Sequence, residues 1–439
     1  MGIARKSLID YFSQNAAMVV TFVAGILLSR FLGVAGFGEY SLIMLANVML
    51  TLFTNMGIEI STRVFAGKEP EKVAQIHTAS VLIILVVTAI SGIIIFFFRD
   101  MLCDYYFKGV RKDLLFLAAL LLPFSLYQLV WQGIIVGLGE IALNARYFMW
   151  NRIAQGGIVI ILIAFSYPSM KMFVFVWVVI QVIFFILSVY VMARKYRLFA
   201  PIHYGMVKKL LKFGWVVFVG NMASNLLQKY SYLIISNILG NQGVGLYSRA
   251  STFSDKITLI SGSLERVTYQ PAAAADEKYA PLLIQKVFRY NLYVNILGAL
   301  LMYVFGSLCI RFLLQEEFHA SIFPLKFLLL SVVFMSCSRI LAVYFTAHLN
   351  KPHIPGIINW VVLPVSLLIT YVFTKHWTLK GASVAVALIY FIHAFAFFIV
   401  FIWKNRQLKI SDFFLFHSED FREIKKILLN IKPSNTPSQ

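Results

Sequence analysis

The chain has 439 residues, of which 60% are hydrophobic and only 13% are charged. This composition excludes an ordinary soluble domain, because soluble proteins carry about 25% charged residues. The formal net charge of +20 would suit a nucleic-acid-binding protein, but the sequence has no soluble basic segment of domain size that would bind one. The composition therefore predicts an integral membrane protein.

Apolar segments long enough to cross a bilayer recur along the whole chain. A hydrocarbon core of about 30 Å requires roughly 20 apolar residues in a helix. Twelve segments meet this requirement, at residues 9–31, 40–60, 77–98, 114–138, 150–167, 173–193, 213–239, 244–264, 290–314, 322–347, 355–374 and 381–403. The sequence therefore predicts an all-α membrane protein with about twelve transmembrane helices, named spans 1 to 12 below.

A glycine-rich segment joins span 1 to span 2, and nearly the same segment joins span 7 to span 8. Residues 29–41 read SRFLGVAGFGEYS and residues 236–248 read SNILGNQGVGLYS, with seven identical positions at one constant offset. We name these segments the first and second glycine hairpins. Because an even number of spans separates the copies, the two halves have the same orientation and form a parallel repeat about the membrane normal. We expect a first lobe at 1–200, a second lobe at 201–405 and a cytoplasmic basic tail at 406–439.

The distribution of basic residues predicts the topology. With the amino terminus inside, 25 of the 39 Lys and Arg residues fall in cytoplasmic segments and 11 in outer segments. This asymmetry follows the positive-inside rule, so both termini are expected on the cytoplasmic side of the inner membrane. The segment from Arg194 to Lys212 joins the lobes and alternates basic with apolar residues, which predicts an amphipathic linker on the membrane surface.

Motifs for covalent chemistry are missing from the sequence. It contains no Walker loop, no His-Glu-x-x-His motif and no paired carboxylates at catalytic spacing. The three cysteines have no metal-site spacing, and the predicted outer loops are short. We therefore expect no enzyme activity, no metal and no cofactor.

Charged residues inside the spans are the functional candidates, because a charge at mid-membrane costs at least about 2.5–3.5 kcal/mol. Arg249 and Lys256 lie seven residues apart and project from one face of span 8. Lys256 lies about 16 Å along that helix from Gly245, close to mid-membrane. The candidates for substrate binding all belong to the second lobe: Lys229, Arg249, Asp255, Lys256 and Arg339.

These cations predict a water-filled cavity that attracts an anion, with Asp255 neutralising part of the cluster. Arg249 and Arg339 lie near span ends, where a long basic side chain also reaches the headgroups without any cavity. In the first lobe, Asp10 and Arg30 bracket span 1. Both are candidates for lining a cleft, and both positions are also normal for residues at a membrane boundary.

The glycine hairpins carry a family resemblance. Residues 28–33 (LSRFLG) and 36–40 (GFGEY) resemble the first hairpin of the polysaccharide flippases in the multidrug/oligosaccharidyl-lipid/polysaccharide exporter superfamily. Residues 239–250 (LGNQGVGLYSRA), followed by Pro271, resemble the pattern of O-antigen, teichuronic-acid and exopolysaccharide exporters. The pattern departs at Ser231, where many relatives have an acidic residue, and at Thr252, where many have Arg.

The resemblance implies two six-helix bundles around a central cleft. It also implies a lipid-linked oligosaccharide, usually on undecaprenyl pyrophosphate, as the substrate that is turned to the outer leaflet by alternating access. Its partners would be membrane lipids and a glycan polymerase or ligase. A buried cation suits a pyrophosphate headgroup, which agrees with the independent interpretation of the charged residues.

Two other functions stay open. A cation-coupled multidrug antiporter of the same superfamily would use buried carboxylates in the first lobe, where Asp10 alone is available. A membrane glycan polymerase or ligase would need a long outer loop with convergent Arg and His residues, and the loop lengths argue against it. A structural scaffold would leave Lys256 unexplained.

Overall fold

A computed structural model describes residues 3–101, 111–165, 169–196 and 199–415, with side chains from Ala17 onward except those of residues 99, 115 and 118. Within these ranges the chain is almost entirely helical and contains no strand. Eight helical stretches are long and apolar enough to cross a membrane. Most of the predicted tail, from residue 416 onward, lies outside the described residues.

Three of the helical stretches each contain two spans. Ile3–Thr54 has 52 residues, Tyr204–Ser254 has 51 and His353–Lys404 has 52. A straight helix of this length would measure about 78 Å, against a hydrocarbon core of about 30 Å. Each stretch is interrupted where the main chain leaves the helical region, at Gly33, at Gly240 and at Trp377–Thr378.

The described helices account for all twelve predicted spans. In the first lobe, spans 1 and 2 share the stretch Ile3–Thr54, and the helix Ile58–Lys68 extends span 2. Spans 3 to 6 follow in order as Val73–Met101, Lys112–Leu120 with Leu122–Gly137, Ile141–Ala164 and Met170–Lys195. In the second lobe, spans 7 and 8 share Tyr204–Ser254 and Thr258–Ala274 extends span 8, followed by Tyr279–Leu313, Ile322–Val343 and the two spans within His353–Lys404. The fold is the predicted all-α membrane architecture of two six-helix bundles.

The two glycine hairpins adopt the same unusual backbone conformation. Gly33 has φ 67° and ψ −177°, and Gly240 has φ 64° and ψ −163°. A side chain makes this region of φ unfavourable, so glycine is the residue that permits the bend. Because the two residues occupy equivalent places in the repeated segments, the hairpins are structural copies as well as sequence copies.

The buried apolar residues form a core in each lobe and a further cluster that both lobes share. The shared cluster joins Ile26, Phe37 and Leu42 of the first lobe to Val244 and Phe253 of the second. Outside these cores, many large apolar side chains are exposed, as expected for helices whose outer faces contact lipid.

The segment between the lobes differs from the predicted surface linker. The helix of span 7 begins at Tyr204, so Lys208, Lys209 and Lys212 belong to its first turns. Met206 and Leu210 are buried in the core of the first lobe. The apolar residues of the segment therefore extend span 7 against the first lobe.

The start of the predicted tail is docked on span 9. Gln285 donates to the main-chain oxygen of Lys409 over 3.0 Å, and Tyr293 donates to that of Phe414 over 2.5 Å. Phe413 is fully buried in the core of the second lobe. Residues up to 415 are thus part of the second lobe, beyond the predicted boundary at 405.

Candidate functional site between the lobes

The two glycine hairpins pack against each other in a reciprocal contact. A Cβ atom placed on Gly38 would lie 2.7 Å from the carbonyl carbon of Asn241 and 2.9 Å from the nitrogen of Gly245. A Cβ atom placed on Gly245 would lie 3.0 Å from the carbonyl carbon of Val34 and 3.2 Å from the nitrogen of Gly38. Main chain therefore touches main chain here, which requires glycine at both positions.

A hydrogen bond continues this contact with the same symmetry. The hydroxyl of Ser41 donates to that of Ser248 over 2.9 Å, and the two residues are 207 positions apart. The same interval separates Gly38 from Gly245 and Val34 from Asn241, so the contact repeats itself under a pseudo-two-fold axis. We call this contact the hairpin seam, and the end of the molecule that carries it the hairpin end.

Arg249 crosses from the second lobe to the first beside the hairpin seam. Its side chain is only 1% exposed. The guanidinium donates to the carbonyl oxygen of Gly25 over 2.8 Å and to the hydroxyl of Ser29, and it lies 4.3 Å above the ring centre of Phe37. Its Nε and Nη1 atoms have no acceptor among the described residues. Arg249 therefore ties the lobes together and lies outside the cavity linings that follow.

A second glycine contact joins the lobes at the opposite end. A Cβ atom on Gly57 would lie 2.7 Å from the carbonyl carbon of Gly214 in span 7. Close to it along the chain, Lys209 lies 3.7 Å from the carboxylate of Glu69. The hydrogen bond from Lys72 and the charge of Lys209 lower the pKa of Glu69, so this carboxylate is ionised at neutral pH. The lobes are thus in contact at both ends of spans 2 and 7.

A cavity of about 260 Å³ lies between these two contacts. Spans 2 and 7 form most of its wall. The polar side chains of the lining are mostly uncharged: four amides and one hydroxyl, with one carboxylate and one ammonium group. They are Thr51, Asn55, Glu59, Asn221, Asn225, Gln228 and Lys229. Asn221, Asn225 and Gln228 recur at helical spacing, so span 7 presents one polar face to this cavity.

A smaller cavity of about 180 Å³ lies inside the second lobe. Lys229, Asp255 and Arg339 are part of its lining, together with several tyrosines and serines. Gln228 and Lys229 line both cavities, and Lys229 is the charged residue that the two linings share. Lys229 and Arg339 attract the Asp255 carboxylate, but no ion pair in the described part of the chain joins the three.

The helix of span 8 tightens where the candidate charges lie. The nitrogens of Lys256, Ile257 and Thr258 each bond to the carbonyl oxygen three residues before them, over 3.2, 3.1 and 3.2 Å. Such a short 3₁₀ stretch within a longer helix often marks a functional hinge. Asp255 and Lys256 sit on this stretch, so span 8 is not the straight helix that the sequence analysis assumed.

Lys256 is half-buried and does not belong to the lining of either cavity. The charge of Lys256 interacts with those of Asp255, which attracts it, and Arg152 of span 5, which repels it. The sequence analysis began span 5 at residue 150 and did not count Arg152 among the charges inside the spans, but the helix of span 5 begins at Ile141, about three turns before Arg152. Arg152 is therefore a cation of the interlobe region that sequence reasoning missed.

The first lobe contains a network of amide side chains, in addition to Glu59 in the wall of the cavity between the lobes. Gln181 accepts from Gln128 over 3.0 Å and from Asn151 over 3.1 Å. Of the two first-lobe candidates, Arg30 is exposed at the hairpin end, where its carbonyl oxygen accepts from Gln315 over 2.9 Å. The side chain of Asp10 lies outside the described part of the chain.

No group of metal-ligating side chains occurs among the described residues. The structure thus brings Lys229, Asp255 and Arg339 together, places Lys256 beside Asp255 on another face, and separates Arg249 and Arg30 from them. Their roles in substrate binding stay predictions.

Comparisons with known proteins agree with this architecture. Residues 27–323, which include both glycine hairpins, match the model of the family described as "Polysaccharide biosynthesis protein". The chain is 22% identical over 401 residues to a Shigella flexneri protein named "Putative O-antigen transporter", a match that covers 88% of this chain and 94% of the relative.

Solved structures share the fold. The lipid II flippase MurJ in an inward closed conformation matches with a TM-score of 0.76 at 14% identity, over 99% of this chain and 94% of that one. An inward-facing multidrug resistance MATE family transporter of the MOP superfamily matches with a TM-score of 0.67 at 14% identity, over 88% and 94%. The family resemblance predicted from the hairpins is confirmed: the chain belongs to the polysaccharide biosynthesis protein family and has the transporter fold of this superfamily.

Proposed function

We propose that this protein is a flippase that moves a lipid-linked oligosaccharide across the cytoplasmic membrane for surface polysaccharide synthesis. The observation that carries the proposal is the position of Lys229, which lines both the amide-rich cavity between the lobes and the charged cavity inside the second lobe. A substrate with a polar glycan and an anionic headgroup matches this pair of cavities.

The lining of each cavity suits one part of such a substrate. Amide side chains such as Asn221, Asn225 and Gln228 offer both donors and acceptors, as sugar hydroxyls require. Lys229 and Arg339 are cations without an ion-paired carboxylate among the described residues, and the phosphates of a polyprenyl pyrophosphate, such as undecaprenyl pyrophosphate, would supply the missing negative charge. Asp255 would limit how tightly the anion is held, so that it can be released.

Alternating access would expose these cavities to one side of the membrane at a time. The hairpin seam closes one end, and the Gly57–Gly214 contact closes the other. Opening the hairpin end requires the main-chain contact to part and the Arg249 guanidinium to leave Gly25 and Ser29. The 3₁₀ stretch at Asp255 and Lys256 offers a bend in span 8 beside the substrate cavities. No covalent step is required.

The cation-coupled antiporter is the second candidate, because the fold is shared with a MATE family transporter as well as with MurJ. Such a protein would centre on a carboxylate inside the first lobe. Glu59, the first-lobe carboxylate in the wall of the cavity between the lobes, is already ion-paired with Arg63. The buried Gln181 belongs to an amide network. This pairing and this network favour the flippase.

The test is complementation of a deletion strain, scored by surface polysaccharide and corrected for the amount of protein in the membrane. Lys229→Ala should reduce export strongly, while Lys229→Arg should retain part of it because the charge survives. Lys351→Ala, which removes a basic residue outside both cavities, is the matched control and should export normally. Full complementation by Lys229→Ala would contradict the proposal.

The lipid-linked glycan that accumulates in the deletion strain identifies the substrate. An antiporter predicts a different result, namely normal polysaccharide and a changed resistance to cationic drugs. Measuring both in one strain separates the two candidates.

A further inference from the structure

A third cavity, apart from the two described above, opens at the hairpin end of the second lobe. Its volume is about 790 Å³. Its walls come from span 8, from span 9 and the turn Glu316–Ser321 that follows it, from the start of span 10, and from the bend between spans 11 and 12. Four basic side chains converge on it: Arg311, His319, Lys326 and Lys380. We name it the rim pocket.

The rim pocket is cationic without local neutralisation. No acidic side chain is part of its lining, and Glu316 and Glu317 lie outside it. No ion pair in the described part of the chain involves Arg311, Lys326 or Lys380. In the predicted topology the hairpin end is the outer end. Outer segments of membrane proteins are normally poor in Lys and Arg, so the positive-inside rule does not explain this group.

The remaining lining of the rim pocket is largely apolar. Leu246, Ile322 and Phe323 contribute to its wall. The ammonium group of Lys380 lies 5.5 Å from the ring centre of Phe323, so the cation is held at the edge of the apolar surface. An apolar wall with a cationic rim suits a ligand that has an acyl or prenyl chain and a phosphate group.

The rim pocket also adjoins the hairpin seam. Leu246 follows Gly245 of the seam by one residue and is part of the pocket wall. Gln315 lies in the same connection as His319 and donates to the carbonyl oxygen of Arg30 in the first hairpin. A lipid phosphate bound in the pocket would therefore lie beside the part of the molecule that must open.

We propose that the rim pocket is a second anion site, which binds the phosphate group of a membrane lipid at the hairpin end. The lipid would place its phosphate among Arg311, Lys326 and Lys380 and its first chain carbons against Phe323 and Ile322. Two sources share this chemistry, an anionic phospholipid of the leaflet and a polyprenyl pyrophosphate carrier. The site is independent of the cleft, because none of its residues lines the other two cavities.

The experiment measures lipid binding to the full chain in detergent by native mass spectrometry. The probes are phosphatidylglycerol, undecaprenyl pyrophosphate and, as the uncharged reference, phosphatidylcholine. The test variant is Lys326→Gln with Lys380→Gln, and the matched control is Lys375→Gln, which removes a cation of the same bend that does not line the pocket. All three side chains are exposed, so the variants should fold normally.

The double variant should bind the phosphate lipid of this site about 25-fold more weakly, at about fivefold for each cation removed. Lys375→Gln should leave the affinity for both anionic probes unchanged. Lys229→Gln, a variant of the cavity between the lobes, should leave the affinity for phosphatidylglycerol unchanged, which keeps this result separate from the proposed transport function. Loss of phosphatidylglycerol binding would identify the phospholipid as the source, and loss of undecaprenyl pyrophosphate binding alone would identify the carrier. Equal affinities of the double variant and the unmodified protein for both anionic probes would overturn the proposal.

Discussion

Replacing Gly38 by alanine tests whether the hairpin seam must open during transport. The added Cβ atom would lie 2.7 Å from the carbonyl carbon of Asn241, whereas carbon atoms in good contact lie about 3.5–4.0 Å apart. Both partners are main chain, so no side chain can rotate away. The hairpins must therefore separate by about 1 Å.

The cost of this separation falls on the closed state alone. Overpacking of a close contact typically costs about 1–3 kcal/mol. A penalty of this size raises the ratio of molecules open at the hairpin end to molecules closed there by a factor of about 5 to 150. Gly38→Ala should therefore favour that state and slow export, because a transporter held at one end completes fewer cycles.

The assay is thiol labelling of Ser248→Cys at the seam, in a background without the three native cysteines. An impermeant reagent added from outside should label this cysteine faster when Gly38→Ala is present. Gly157→Ala is the matched control, because a Cβ atom on this helical glycine meets nothing within 4 Å. Unchanged labelling and unchanged export in Gly38→Ala would refute the reasoning that the closed seam depends on this contact.

Three further predictions follow from the charged residues. Lys256→Ala should strongly reduce complementation at normal protein abundance, while Lys256→Arg retains part of it; full activity of Lys256→Ala would remove this lysine from the proposed anion path. Arg249→Met should increase labelling of Ser248→Cys, because it removes the bonds that tie the lobes, and Arg249→Lys should have a smaller effect; equal labelling of both variants and the parent would contradict the tie. A cysteine at Lys171 should react with an outside reagent in intact cells and one at Lys404 should not, and the reverse pattern would invert the predicted topology.

The repeated segment that forms the two glycine hairpins was the most informative part of the sequence. Its constant offset predicted two lobes of the same orientation, and the seam confirms this, because Ser41 pairs with the residue 207 positions later. Glycine positions are predictive here for a physical reason: a bend at positive φ and a main-chain contact both require the absence of a side chain. The family resemblance rested on the same residues, and the helical fold was predicted from the twelve apolar segments; both are confirmed.

The arrangement of the charged residues was only partly predictable. Neighbouring residues of a helix project about 100° apart, and accordingly Asp255 lines the second-lobe cavity and Lys256 does not. The sequence did not reveal the 3₁₀ stretch of span 8, because neither glycine nor proline occurs within it. Arg152 was missed because charges within a helix resemble charges of a loop when they lie near the end of an apolar run.

The charges of the site break the symmetry of the repeat. At the offset of 207 that the seam defines, the first-lobe counterparts of Lys229, Arg249, Asp255 and Lys256 are Phe22, Leu42, Val48 and Met49. Phe22 packs edge-on against Phe253 of the second lobe, with 5.5 Å between ring centres. The same position of the repeat therefore forms an apolar contact in the first lobe, through Phe22, and carries a cation in the second lobe, Lys229.

This asymmetry separates two demands on the repeat. The seam needs self-complementary surfaces, so glycine and serine are kept in both copies. An anionic headgroup, by contrast, needs concentrated positive charge, and charges repeated in both lobes would repel each other across the closed cleft. Placing the cations of the charged cavity in one lobe, opposite a first-lobe interior of amides, provides attraction for an anion while the lobes can still close.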